Sequence, residues 1–262
     1  MDSAPITNPT PYEDVNAFLH LLLTKIQAIL GERLVGLYLY GSLSLGDFDP
    51  ASSDVDFLAA TTEDLPGEIA EQLREMHEAI ALTDFTYAQR LEGSYIPRQA
   101  LWRYNPQNAH HPTIGTDWPF QVDFHGDNWV IERYIVREHG VIIYGPDPTT
   151  LIDRVTPQEV RTAVYAQLKN FWQHQPDQPD WLRERAYQAF AVLTLCRALY
   201  TLQEGIVSSK PQAALWACEA YPRWKPIIER SLAWRSQHEE DDLTETLAFL
   251  RAALTLALEI SV

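Results

Sequence analysis

Residues 41–56 read Gly41-Ser42-Leu43-Ser44-Leu45-Gly46-Asp47-Phe48-Asp49-Pro50-Ala51-Ser52-Ser53-Asp54-Val55-Asp56, and the fold is read outward from this stretch. Before it, Val35, Leu37 and Leu39 alternate through Leu34–Tyr40 in the period of a strand. That strand runs into a Gly41-Ser42 turn, a loop of about ten residues follows, and the chain returns as a strand over 54–60. Alternation puts Asp54 and Asp56 on one face of the returning strand and sends Val55 and Phe57 the other way, into a core. Two carboxylates this close repel unless a cation sits between them. Mg²⁺ suits the pair, because it takes one or two carboxylates and completes its shell with phosphate oxygens and water. The Gly-Ser turn offers a triphosphate a backbone that allows close approach, amide donors and the Ser42 hydroxyl.

Around this centre the chain alternates helix and strand, then turns wholly helical. The spacing predicts a helix over 15–30, with Val15, Phe18, Leu19, Leu22, Ile26, Ile29 and Leu30 on its apolar side and Gly31 as its stop. A helix over 66–82 and a strand over 86–96, which carries Glu92, follow the Asp-x-Asp strand. Residues 98–126 are rich in Pro, His, Asn and Trp without clear period and read as irregular loop. A helix over 129–138 and a strand over 141–144 end the first half. Gly145-Pro146-Asp147-Pro148 is the strongest punctuation in the chain, so domains are expected at 1–150 and 151–262. The second half predicts helices over 157–174, 181–204, 211–220, 226–235 and 242–260. In the last, Leu243, Leu247, Leu250, Leu254 and Leu258 form the expected buried stripe.

Composition narrows the function. The 262 residues are long enough to bury a core without covalent staples. Twenty Lys and Arg against 36 Asp and Glu give a formal net charge of −16, which argues against nucleic acid or an anionic membrane as partner and fits a cationic ligand. The two cysteines, Cys196 and Cys218, lie in apolar helical surroundings and read as buried thiols of a reducing compartment. The opening MDSAPITNPTPYED has neither a basic start nor an apolar core, so no signal peptide is expected. No apolar run approaches the roughly 20 residues of a membrane span, and a cytoplasmic protein is expected.

Gly-Ser, a spacer on the ten-residue scale and Asp-x-Asp resemble the signature of the nucleotidyltransferase (DNA polymerase β-like) superfamily. Further segments narrow the likeness: Trp102-Arg103-Tyr104, Arg137-Glu138-His139-Gly140 with Gly145-Pro146, and Val192-Leu193-Thr194-Leu195-Cys196-Arg197-Ala198-Leu199-Tyr200. Together they resemble the aminoglycoside adenylyltransferases, streptomycin/spectinomycin 3″(9) branch, over nearly the whole chain. That resemblance implies an α+β (α/β) nucleotidyltransferase domain with a small mixed sheet, followed by an all-α helical bundle. It implies AMP transfer from ATP, with Mg²⁺, to a hydroxyl of a cationic aminoglycoside. That is the chemistry of antibiotic resistance, and a monomer is expected to carry it out.

Carried over by residue, the resemblance gives Gly41, Ser42 and Ser53 to the nucleotide phosphates, Asp54 and Asp56 to the metal, and Glu92 to the role of base. It assigns Arg197 and Lys210 to the triphosphate. For Arg197 the residues add their own argument: Ala189–Tyr200 is apolar nearly all round, and an arginine inside such a helix needs either an internal carboxylate or an anionic ligand. Trp102, Trp172 and Asp177 match acceptor-binding positions of the family. The acids expected next fall in Asp180-Trp181-Leu182-Arg183-Glu184-Arg185, where this chain is longer and brings arginines, with Glu184 as the substitute. Asp127 or Asn128 falls where the family tends to place an acid, and the loop around Trp118 differs.

Two other signals carry less. His125-Gly126-Asp127-Asn128 resembles a phosphotransferase loop, but position 132 is Glu and no Asp-Phe-Gly-like partner follows. His110, His111, His125 and Asp123 lack the fixed spacing of a zinc site. The rival readings are transfer of the nucleotide to a non-drug acceptor and a non-catalytic binding module on the same fold.

Overall fold

The structure is a computed structural model that describes residues 8–116, 118–233 and 242–260. The expected end of a helix at Arg235 and the first seven residues, on which the signal-peptide reading rests, lie outside the described residues. Two compact units divide between Arg154 and Val155.

In the first unit, helix α1 (Glu13–Leu30) leads to β1 (Leu34–Leu39), a short α2 (Gly41–Leu45), β2 (Val55–Thr61), α3 (Gly67–Ala81) and β3 (Leu91–Pro97). Then come α4 (Arg98–Trp102), β4 (His110–Ile114), β5 (Gln121–Phe124), α5 (Asn128–His139) and β6 (Val141–Tyr144). The six strands form one mixed sheet in the order β5-β4-β3-β2-β1-β6. β2 and β3 pair in parallel, whereas the other neighbours are antiparallel. A parallel pair needs a crossover, and α3 supplies it. Val55, Phe57 and Ala59 of β2 are fully buried with Leu37 and Leu39 of β1 against the apolar sides of α1 and α3. Asp54 and Asp56 alternate with them and stay half-buried on the opposite face.

Three expectations change here. The Gly41-Ser42 turn is a turn of helix, α2, rather than open loop. The strand expected over 86–96 starts only at Leu91, because residues before it fold into tight turns (Ala88 N–H to Phe85 O, 3.0 Å; Arg90 N–H to Tyr87 O, 3.0 Å). Those turns tuck Tyr87 against Phe18 and Phe48. The supposed loop over 98–126 contains α4 and the β4–β5 hairpin. The hairpin escaped notice because the residues that β4 buries, His111 and Thr113, are polar and leave no apolar period.

His77 of α3 lies 2% exposed between Phe57 and Phe120, with Nε2 2.8 Å from the Tyr95 hydroxyl. Burial pushes its pKa down to about 3. An unfolded histidine titrates near 6.5, so between those values only the unfolded chain takes up this proton and stability falls with pH. Across the full window the loss is on the order of 4–5 kcal/mol for this group. A His77→Phe variant, followed by thermal denaturation from pH 7 to pH 4, is expected to lose Tm with a visibly shallower slope than the parent.

In the second unit, α6 (Pro157–Asn170) opens with a capping box between Thr156 and Glu159. It is followed by α7 (Arg185–Glu204), α8 (Lys210–Ala220), α9 (Lys225–Ala233) and α10 (Leu243–Glu259).

 The helices expected over 157–174 and 181–204 are both shorter, since Pro176 and Pro179 sit in 3₁₀ turns over 172–183 where an α-helix would need their missing N–H groups. In α10 the buried side is Thr246, Phe249, Leu250, Ala253 and Ala257, and Leu258 of the expected stripe is 70% exposed. Small residues let α10 approach α7 more closely than a row of leucines would. Cys196 and Cys218 are both buried free thiols. Among the described residues no helix is long and apolar enough to cross a membrane.

Candidate active site

β1 ends at Leu39, and Tyr40 N–H then donates to Asp56 O at 3.1 Å, holding the start of α2 beside β2. Gly41 follows at φ +63°, where a side chain is strained, and a Cβ there would stand 2.1 Å from Asp56 Oδ2. Only glycine lets the backbone lie this close to the carboxylate. Gly46 closes α2 at φ +77°, its N–H donating to Ser42 O. The Ser42 side chain is half-buried at the first turn of that helix.

The rest of the loop is held from two sides. Ser53 is 7% exposed, and its Oγ accepts from Asp49 N–H at 3.0 Å. Arg90 donates to Ser53 O at 3.1 Å and to Pro50 O at 2.9 Å. Sequence reasoning missed Arg90; its only signal was its place one residue before the third strand.

The parallel register sets Asp56 directly opposite Glu92. Neighbouring strands lie about 4.8 Å apart, so the two carboxylates stand side by side on one face. Thr116 donates to Glu92 Oε1 from its hydroxyl at 2.8 Å and from its backbone N–H at 3.3 Å, which orients the carboxylate. Thr116 too was absent from the sequence reading, since it reaches Glu92 only through the turn after β4. Tyr40 is 8% exposed, and its hydroxyl is held well above the usual phenol range by burial and then by the charges of Glu132, Asp56 and Glu92. Glu132 of α5 therefore lies near enough to the Tyr40 hydroxyl for its charge to be felt there. Asp127, half-buried, immediately precedes Asn128, the first residue of α5.

The donor set is all oxygen, which suits a hard cation such as Mg²⁺. Among the described residues no three His, Cys, Asp or Glu side chains form a ready metal cage. A Mg²⁺ that draws most of its ligands from phosphate and water needs no such cage, and Asp54 and Asp56 are the residues that would hold it.

Trp102, at the end of α4, is 50% exposed, and its carbonyl accepts from Asp153 N–H at 2.9 Å. In the second unit, Arg197 is half-buried on α7 and makes no hydrogen bond or ion pair with any described residue. Lys210 begins α8, with Nζ 4.4 Å from the centroid of the Phe190 ring. Two turns of α7 separate Phe190 from Arg197, so both lie on one stripe of that helix. Trp172 is 6% exposed and packs on Phe171, Trp181 and Phe190. Asp177 is exposed, 4.0 Å from Arg251, and Glu184 is exposed just before α7.

Comparison with known proteins agrees with this architecture. Residues 150–259 match the family model described as aminoglycoside adenylyltransferase, C-terminal domain. An aminoglycoside (3'') (9) adenylyltransferase of Escherichia coli is 27% identical, over 92% of this chain and 95% of the relative. Its counterpart from Rhizobium radiobacter is 31% identical, over 72% of this chain and 67% of the relative. The crystal structure of spectinomycin adenyltransferase AAD(9) from Enterococcus faecialis with ATP and spectinomycin superposes with a TM-score of 0.71 at 20% identity, covering 91% of this chain and 98% of that one. That likeness is one of fold. With a glycine-gated pair of strand carboxylates in one half and the matched helical domain in the other, the chain belongs to the aminoglycoside adenylyltransferase family.

Proposed function

We propose that this protein transfers AMP from ATP to a hydroxyl of a cationic aminoglycoside of the streptomycin or spectinomycin type, releasing pyrophosphate. The observation that carries the reading is the register of β2 and β3, which sets Asp56 beside Glu92 while Gly41 brings α2 against Asp56. The names of the relatives support the co-substrate and the acceptor class.

Glu92 takes the proton of the acceptor hydroxyl, and the oxygen forms its bond to the α-phosphorus in line with the bond that breaks. The electron pair of the broken bond leaves on pyrophosphate. Asp54 and Asp56 would hold Mg²⁺, which when bound supplies charge stabilisation on the phosphate oxygens. Ser42 and Ser53 serve the phosphates, and Arg197 and Lys210 are assigned to them by charge, a guanidinium that pairs with no carboxylate among the described residues being matched to phosphate. Trp102, Trp172, Asp177 and Glu184 are assigned to the acceptor. The net charge of −16 draws a polycation, an attraction that salt weakens. A monomer in the cytoplasm, where ATP is available, is the working form in this reading.

The test is pyrophosphate release by the purified chain with ATP and Mg²⁺, with and without streptomycin and spectinomycin, using Asp54→Asn as the blank. Drug-dependent release that is absent from the blank is the expected result. ATP binding without release across a wide aminoglycoside panel would overturn the acceptor class and favour a non-drug acceptor or a binding role.

A further inference from the structure

Lys210 stands where an ammonium is poorly placed. It is the first residue of α8, directly after the N-cap Ser209, whose hydroxyl accepts from Gln212 N–H at 3.3 Å. The N-terminal end of a helix is the positive pole of its dipole, so a lysine there is repelled where an aspartate would be held. Its side chain is a flexible four-carbon stem, and in this half-buried position it needs a hold from outside its own helix.

Phe190 supplies one. The Lys210 Nζ lies 4.4 Å from the centroid of its ring, inside the roughly 6 Å over which an aromatic face attracts a cation. Phe190 is 44% exposed, so its ring is not spent on the core beneath α7. The ring is backed instead by Trp172, 6.3 Å away at 30°, and Trp172 by Trp181 at 6.2 Å. Both tryptophans come from the 3₁₀ turns that precede α7. An aromatic face, unlike a carboxylate, attracts an ammonium without neutralising its charge. The same helix carries Arg197 two turns further on, about 10 Å along the axis and on the same stripe. Phe190 thus ties the ammonium of α8 to the helix of the guanidinium.

We propose that Phe190 is a positioning residue for the triphosphate: it holds the Lys210 ammonium, against the dipole of α8, at a set spacing from Arg197. Two cations arranged before the nucleotide arrives lose less freedom when they meet its phosphates. The inference rests on the proposed assignment of Lys210 and Arg197 to the triphosphate, and it adds a residue that acts through the lysine alone.

The test is binding of Mg-ATP to the full chain, followed by titration calorimetry without acceptor, across a double-mutant cycle of Phe190→Leu and Lys210→Met. Leucine keeps apolar bulk beside Trp172 and removes the aromatic face. Lys210→Met is expected to weaken ATP binding about tenfold or more, the usual worth of a charged hydrogen bond. Phe190→Leu is expected to weaken it about two- to fivefold, as for a partly exposed ring under an ammonium, and to add nothing in the Lys210→Met background. Phe190→Tyr, which restores the face, is expected to bind ATP as the parent does. Unchanged or tighter binding by Phe190→Leu, or an equal loss in both backgrounds, would overturn the proposal while leaving Lys210 on the triphosphate. ATP binding unmoved by Lys210→Met would take Lys210 off the triphosphate, and the proposal would fall with it.

Discussion

Asp56→Asn lowers drug-dependent AMP transfer by about 10³–10⁴-fold, because the stabilisation a bound metal gives the reacting phosphate is worth several kcal/mol and each 1.4 kcal/mol is tenfold. Asparagine keeps the size and hydrogen-bonding reach of the side chain at 56, so the close approach to Gly41 survives and the loss is one of charge. Asp56 stands opposite Glu92 in the strand register, and both charges, with that of Glu132, act on the Tyr40 hydroxyl. Removing a negative charge beside Asp54 and Glu92 relieves repulsion, so the variant is expected to melt no lower than the parent. The check is pyrophosphate release under saturating ATP and drug, paired with ATP binding at varied Mg²⁺. Activity within tenfold of the parent would remove Asp56 from the metal site.

Glu92→Gln lowers transfer by about 10²–10⁴-fold, the usual worth of a positioned general base. Glutamine retains an oxygen that accepts from the Thr116 hydroxyl and N–H, so the side chain keeps its place. What it loses is the ability to take a proton. The two variants are therefore expected to differ in kind: Asp56→Asn loses Mg²⁺-dependent ATP binding, whereas Glu92→Gln binds ATP as the parent does and fails in the transfer step. Single-turnover kinetics with prebound ATP separates them, and a Glu92→Gln enzyme that turns over normally would rule the base out.

Much of the strand pair that carries the candidate site is legible in the sequence, because Asp54, Val55, Asp56 and Phe57 alternate in the period of a strand with one face in the core. Glu92 is legible as well, since a helix-length crossover must deliver the chain back to the neighbouring strand. Glu132 is not, because one glutamate on an amphipathic helix resembles every other exposed glutamate until the fold brings it to Tyr40. The β4–β5 hairpin hides for a different reason: its buried residues, His111 and Thr113, are polar, and Thr113 bonds to Ser94 and Gly93 of β3 rather than joining an oily core. In α10 the expected leucine stripe is fully buried at Leu250 and exposed at Leu258, since closeness of packing, supplied by Ala253 and Ala257, outweighs the larger apolar area of Leu258. Short α2 leaves no trace because five residues rich in Gly and Ser have little helical preference of their own.

The strand order also sets a timetable for biosynthesis. β1 leaves the ribosome early and pairs with β2 through a short connection, but its other edge waits for β6, with Leu37 meeting Tyr144. The interior strands that carry Asp56 and Glu92 can therefore associate while β1 still shows an open row of amides and carbonyls to the surroundings. A nascent chain stalled before Val141 holds its chemistry half assembled and one flank unguarded, which makes that interval the one in which a chaperone has most to protect.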